Sequence, residues 1–243
     1  MPWARASSLD RVIACPASAV LPVGKDERSE AAKTAADWGT LMHHYMAYGQ
    51  VPNHPLQSKV LARAAYLRRQ VLWPQDGIFE RAFSLNVETW EVLTEDDLVP
   101  GDPATTADWK AVQPWECITG SADYCGNLLG TPWVDDLKTG RSPADPGEPQ
   151  TLFYGLCLWL LNGKPDEGVV ASITAFPRYP LVSAPVRKFK ELSVEALTEF
   201  QAVLTLTFSE VNRYKSKLVQ LGKRDVTPGG QCVFCPSKSN CPA

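Results

Sequence analysis

At 243 residues, with 44% hydrophobic and 21% charged side chains, the chain has the make-up of a globular protein that buries one full core or two small ones. No run approaches the ~18–20 apolar residues of a membrane-crossing helix. The opening "MPWARASSLDRVIACPASAV" holds no apolar stretch long enough for a signal-peptide core, so the expected location is cytoplasmic, with no membrane partner. The formal charge of −3 hides an asymmetry: nine Lys or Arg face four Glu from Arg178 to Arg224, whereas eleven Asp or Glu face Lys110 alone from Ala82 to Asp136. The first suits a nucleic-acid surface and the second a cation site, but solvated faces look the same.

In chain order, "SEAAKTAADWGTLMHHYMAYG" predicts a helix ending at Gly49, and "PLQSKVLARAAYLRRQVLW" a second one stopped by Pro74. "IFERAFSLNVETWEVL" and "WECITGSADYCGNLL" read as β-structure, separated by the polar loop "TEDDLVPGDPATTAD". "TPWVDDLKTG" is a short strand closed by Gly140, and "PQTLFYGLCLWLLNG" a buried apolar helix. "GVVASITAFPRY" and "APVRKFKELS" are further strands. A long amphipathic helix follows from its cap at Ser193. Interleaved helices and strands predict a mixed sheet covered by helices.

The chemistry concentrates in "TGSADYCG…TPWVDDLKTG". Residues two apart on a strand share a face, so Asp136 and Lys138 point one way and Asp135 and Leu137 the other. A hairpin through Leu129-Gly130-Thr131 brings Asp123 beside Asp136. Two carboxylates beside an ammonium suit a hard divalent cation and phosphodiester hydrolysis. Taken alone, Asp-x-Lys is also the pattern of an exposed ion pair.

Four short motifs stand in order: Gly39–His43 (Gly-x-x-x-His), Gly120–Asp123 (Gly-x-x-Asp), Asp136–Lys138 (Asp-x-Lys, running on through Thr139 and Gly140) and Gln150–Tyr154 (Gln-x-x-x-Tyr). This set resembles the PD-(D/E)XK nuclease superfamily, in its RecB-like branch. The resemblance implies an α/β (α+β) fold: a restriction-endonuclease-like core with a central mixed β-sheet flanked by helices. It implies His43, Asp123, Asp136 and the Leu137 carbonyl as ligands of Mg²⁺ or Mn²⁺, and Lys138 as the catalytic lysine beside Asp136 and Asp123. Gln150 and Tyr154 would position the DNA strand or Lys138. His44 falls outside the motif. The implied activity is a metal-dependent DNA exonuclease on single-stranded ends, in recombination, repair, phage DNA processing or spacer acquisition, with DNA and the proteins of those systems as partners. A non-catalytic nucleic-acid-binding subunit and a structure-specific endonuclease remain open. No Gly-x-x-x-x-Gly-Lys-Ser/Thr occurs, so no helicase motor is expected.

Cys232, Cys235 and Cys241 sit in "GGQCVFCPSKSNCPA" and lack a fourth donor nearby. Cys117, Cys125 and Cys157 read as core residues, and in a reducing compartment ligation is expected over disulfides. One early Cys15-Pro16 with three late cysteines resembles the iron–sulfur subset of the RecB-like branch, which includes AddB-type helicase–nucleases and CRISPR-associated exonucleases. That implies a [4Fe–4S] cluster on Cys15, Cys232, Cys235 and Cys241, stapling the termini. A structural zinc on the same thiols remains the alternative. The expected organisation is one nuclease domain over 1–243, with a core at 28–224 and an iron–sulfur region at 1–27 plus 225–243. Arg178, Arg187, Lys188, Lys190, Arg213, Lys215 and Lys217 are candidates for a strand-binding channel. Trp38 and Tyr45 read as packing residues ahead of base-stacking ones.

Overall fold

The computed structural model describes residues 1–24, 29–95, 103–139, 145–176, 184–216, 222, 226–230, 232 and 235–242. Its strands are β1 (Ala4–Arg5), β2 (Ile78–Asn86), β3 (Val92–Thr94), β4 (Cys117–Leu128), β5 (Thr131–Lys138), β6 (Val169–Ala175) and β7 (Val186–Leu192). The helices are α1 (Leu9–Ala14), α2 (Glu30–Tyr48), α3 (Gln57–Arg68), α4 (Pro103–Val112), α5 (Pro149–Leu161) and α6 (Val194–Ser216). The strands form one seven-stranded sheet in the order β3-β2-β4-β5-β6-β7, with β1 alongside β4. It is mixed: β1 runs parallel to β4 and β5 parallel to β6, while the other neighbours are antiparallel. This is the helix-flanked mixed sheet that the sequence predicts.

Two apolar layers hold it. On one face, Leu9 and Val12 of α1, Phe153 and Leu156 of α5, and Leu197 and Leu204 of α6 pack on Phe83, Ile118, Val134 and Ala171. On the other, Trp38, Met42 and Met46 of α2 and Val60 and Leu67 of α3 pack with Leu137 and Phe176. The alternation along β5 sets this division: Val134 and Asp136 look toward α5, and Asp135 and Leu137 look away.

Local signals explain most boundaries. The Ser29 hydroxyl accepts from the Ala32 amide at 3.3 Å to open α2, and Gly49 closes the helix in a left-handed conformation. The β4–β5 turn places Leu129 (φ 54) and Gly130 (φ 94) both at positive φ, the geometry of a tight hairpin. Two expectations need correction. The segment 94–108 is not all loop, because α4 starts at Pro103, where a fixed φ and a missing N–H suit the first turn. The second helix also ends earlier than predicted, at Arg68, well before Pro74.

The β4–β5 ladder stops at the pair Tyr124–Asp135, although β5 stays paired with β6 as far as Lys138. The two strands therefore fork. Into the opening comes β1, paired with β4 at Ile118 and Thr119, and the turn that begins at Ala6. Gly120 is what lets that turn approach: a Cβ there would meet Ala6 Cβ at 2.6 Å and the Tyr154 ring at 2.9 Å.

Candidate active site

The fork gathers the predicted residues. The Asp123 carboxylate accepts from the Leu137 amide at 2.6 Å, replacing the ladder bond lost where the strands part. Its other oxygen lies 2.7 Å from His43 Nδ1, delivered by α2. Asp136 Oδ2 is 2.7 Å from Lys138 Nζ. The first turns of α5 add Gln150, whose side chain accepts from Lys138 at 2.9 Å and donates to Asp136 Oδ1 at 3.3 Å and to the Tyr154 hydroxyl at 3.3 Å. Tyr154 itself is buried, packed in the α5-side core behind Gln150. The Leu137 side chain belongs to the opposite core. Gly39, one turn before His43, lies where a Cβ would meet Thr139 Oγ1 at 3.0 Å, so its bareness lets α2 sit against the end of β5.

The sequence motifs do not include Glu80. His43, Glu80 and Asp123 offer donor atoms within 4.8 Å of one another. Glu80 has φ 53, and alternation breaks there: Phe79 packs with Trp73 and Tyr124, while Phe83 lies in the other core. The break occurs on both strands, since Tyr124 looks one way while Ala122 and Ile118, of the same parity, look the other. Glu80 and Asp123 occupy the unregistered position between the pairs Phe79–Tyr124 and Arg81–Ala122. A non-glycine residue at positive φ is strained, and here the strain aims a carboxylate into the site.

These groups line an open cavity of about 540 Å³, and a second of about 450 Å³ shares its walls at Thr40, His43, Glu80 and Lys110. The electrostatics are those of crowded carboxylates. Burial, then the charge of Asp123, pushes Glu80 up to about 8. Burial and Asp123 likewise push Asp136 up to about 6 against the pull of Lys138. Burial works against the His43 imidazolium, but Asp123, Glu80 and Asp136 outweigh it and raise the group to about 9. Burial also opposes the Lys138 ammonium, yet Asp136 foremost keeps its pKa above the ordinary lysine value. The imidazole of His43 and the carboxylates of Glu80 and Asp123, with donor atoms within 4.8 Å of one another, fit a hard divalent cation, and Asp136, paired with Lys138, lines the same cavity.

Asp135 serves the fold instead. On the far side of β5 it accepts from Trp73 Nε1 (2.9 Å), Ser172 Oγ (2.7 Å), Thr174 Oγ1 (2.7 Å) and Arg187 (2.9 Å). Arg187 is thereby committed to the sheet rather than to a strand-binding channel. The other candidate channel cations are dispersed as well: Arg213 pairs with Glu210, and Lys215 stacks 3.6 Å over the Trp115 ring. Lys188 and Lys190 are exposed on the edge strand β7, and Arg178 and Lys217 lie outside the described residues.

All seven cysteines are free thiols, and Cys117, Cys125 and Cys157 are buried. Cys15 is buried with Ala17, Tyr214 and Val226, and Cys241 packs against that cluster. The chain around the late cysteines is tied to the residues that follow Cys15. Ser237 Oγ donates to the Leu21 carbonyl at 3.1 Å, Asn240 Nδ2 to that of Pro22 at 3.1 Å, and the Gly24 amide to that of Pro236 at 2.6 Å. Cys232 Sγ accepts from the Gly229 amide at 3.3 Å.

No helix among the described residues is long and apolar enough to cross a membrane. No curated protein matches the chain. Among solved structures, that of SSO0001 aligns over 98% of this chain and 84% of its own, with 15% identity and a TM-score of 0.39, too weak a likeness to support any inference. The sequence from residue 6 to 242, however, matches the PD-(D/E)XK nuclease superfamily, whose members are metal-dependent nucleases, and the fork with its carboxylates and lysine lies inside that span. The chain belongs to the PD-(D/E)XK nuclease superfamily.

Proposed function

We propose that this protein is a Mg²⁺- or Mn²⁺-dependent deoxyribonuclease of the RecB-like type that digests single-stranded DNA from its ends. The observation that carries the reading is the convergence of His43, Glu80, Asp123, Asp136 and Lys138 in one cavity at the strand fork. His43, Glu80, Asp123 and Asp136 would hold the cation, with the Leu137 carbonyl as a further donor. A bound divalent cation lowers the pKa of water and neutralises charge on the scissile phosphate. The chain's own part is placement. Gln150 links Asp136 to Lys138, so the ammonium stays oriented toward the carboxylates, where it steadies negative charge on the reacting phosphate. Tyr154 fixes Gln150 from behind. The preference for ends and for single strands rests on the four-motif resemblance, as does a place in recombination or spacer acquisition.

Within the same reading, Cys15, Cys232, Cys235 and Cys241 carry a [4Fe–4S] cluster. Four free thiols on two chain segments tied together by hydrogen bonds fit such a group, and the Gly229 amide on Cys232 Sγ suits a thiolate.

The test uses end-labelled linear single-stranded, linear duplex and circular single-stranded DNA with Mn²⁺ or Mg²⁺. Shortening of linear single strands from one end is expected, with Asp136→Ala and Lys138→Ala slower by about 10²–10³-fold or more. Cleavage of circles would move the reading to an endonuclease, and no cleavage at all would leave a binding subunit.

A further inference from the structure

Two lysines line the catalytic cavity, and they differ in what holds them. Lys138, at the β5 side of the donor row, is paired with Asp136 and bonded to Gln150. Lys110 comes from α4, at the β2 side beside Glu80, and donates to the neutral Ser121 hydroxyl at 2.8 Å. Among the described residues it makes no ion pair. Arg5 of β1 is exposed and lines the same cavity. Burial disfavours the Lys110 charge, with Arg5 adding to the effect, while Glu80 and Glu95 favour it. A half-buried ammonium hydrogen-bonded to a neutral hydroxyl, and a guanidinium lining the same cavity, put two cations beside the acidic row with donors left over for an anion. Neither group bonds to Asp123 or Asp136, which are held by the Leu137 amide, His43, Lys138 and Gln150.

We propose that Lys110 and Arg5 form a phosphate subsite that grips a non-scissile phosphate of the nucleic-acid strand, across the carboxylates from Lys138. The proposal rests on the nuclease reading and deepens it. The strand then crosses the cavity from the β5 side to the β2 side, held by cations at both ends, with the acidic row beneath the bond to be cut. The subsite also gives α4 a purpose, since the helix carries the one basic residue of the acidic stretch from Ala82 to Asp136 to the place where an anion must pass.

The test is a salt titration of binding. A fluorescein-labelled single-stranded oligonucleotide is titrated with protein in EDTA between 50 and 200 mM salt, the range over which phosphate contacts dominate affinity. Lys110→Ala is expected to bind roughly tenfold more weakly, the loss of one charge-assisted hydrogen bond. Its slope of log K against log salt should fall by about 0.7, one phosphate contact on a single strand. Arg5→Ala should show a similar fall, Lys110→Arg should restore the slope, and Ser121→Ala should leave it intact, because that change removes the tether and keeps the charge. Circular dichroism confirms that each variant is folded. Wild-type binding with an unchanged slope in Lys110→Ala would overturn the subsite and leave the nuclease reading standing. A wild type that neither binds nor cuts any strand would remove both.

Discussion

At the residue scale, the acidic row divides its labour among groups that the sequence shows unequally. His43, Asp123, Asp136, Lys138 and Gln150 were legible because each belongs to a short spacing that survives folding as a helix face or a strand alternation. Glu80 was not, because it reaches the site only through a positive φ that breaks the alternation of β2, and no spacing rule announces such a break. Glu80→Gln keeps the shape and removes the charge. It is expected to weaken Mn²⁺ binding by at least tenfold in calorimetry, with an unchanged circular dichroism spectrum. Asp135 was legible as facing away from Asp136, but its donors come from Trp73, Ser172, Thr174 and Arg187, far off in sequence. Removing it strands the Arg187 charge in a half-buried position, so Asp135→Ala is expected to cost about 3–5 kcal/mol in urea unfolding. Replacing Gly120 by alanine presses a methyl against Ala6 and Tyr154, at a cost of about 1–3 kcal/mol by the same measurement.

At the scale of elements, the longer strands and helices were readable from apolar runs and caps, whereas the short β1 and α1 were not. The helix α4 was hidden by its own beginning, because proline and glycine in a polar run signal a loop until a neighbouring sheet supplies something to pack on. The fork between β4 and β5 also has a pH signature. Glu80 at about 8, Asp136 at about 6 and His43 at about 9 all hold protons more tightly in the fold than at their ordinary values of 4.5, 3.8 and 6.5. Their contribution to stability is whole at low pH and is lost as the pH climbs through the folded values. Metal-free protein is therefore expected to melt at progressively lower temperature from pH 6 to pH 9. A divalent cation needs these groups deprotonated, so the rise in melting temperature on adding Mn²⁺ should be larger at pH 9 than at pH 6. Scanning calorimetry with and without the ion checks both signs.

For the whole molecule, hydrogen bonds tie residues 21–24 to residues 236–240, far apart in sequence. With the proposed cluster on its four thiols, Cys232→Ala is expected to lower folded yield and to remove the visible absorbance that such a cluster would give. Full solubility and activity with neither iron nor zinc by elemental analysis would overturn the staple. The sequence announced the four thiols but not the polar stitching around them, since Ser237, Asn240 and Pro236 carry no motif and act through backbone carbonyls and amides of residues 21–24.

That stitching has a consequence in time. The Ser237–Leu21 bond joins positions 216 residues apart. A ribosome adding roughly 5–20 residues per second needs about 10–40 s between making one partner and the other. During that interval Cys15 and its neighbours have been synthesised but have nothing to close upon, while the sheet and its acidic row can already assemble. The Ser237–Leu21 contact therefore forms only after the sheet and the acidic row have been made.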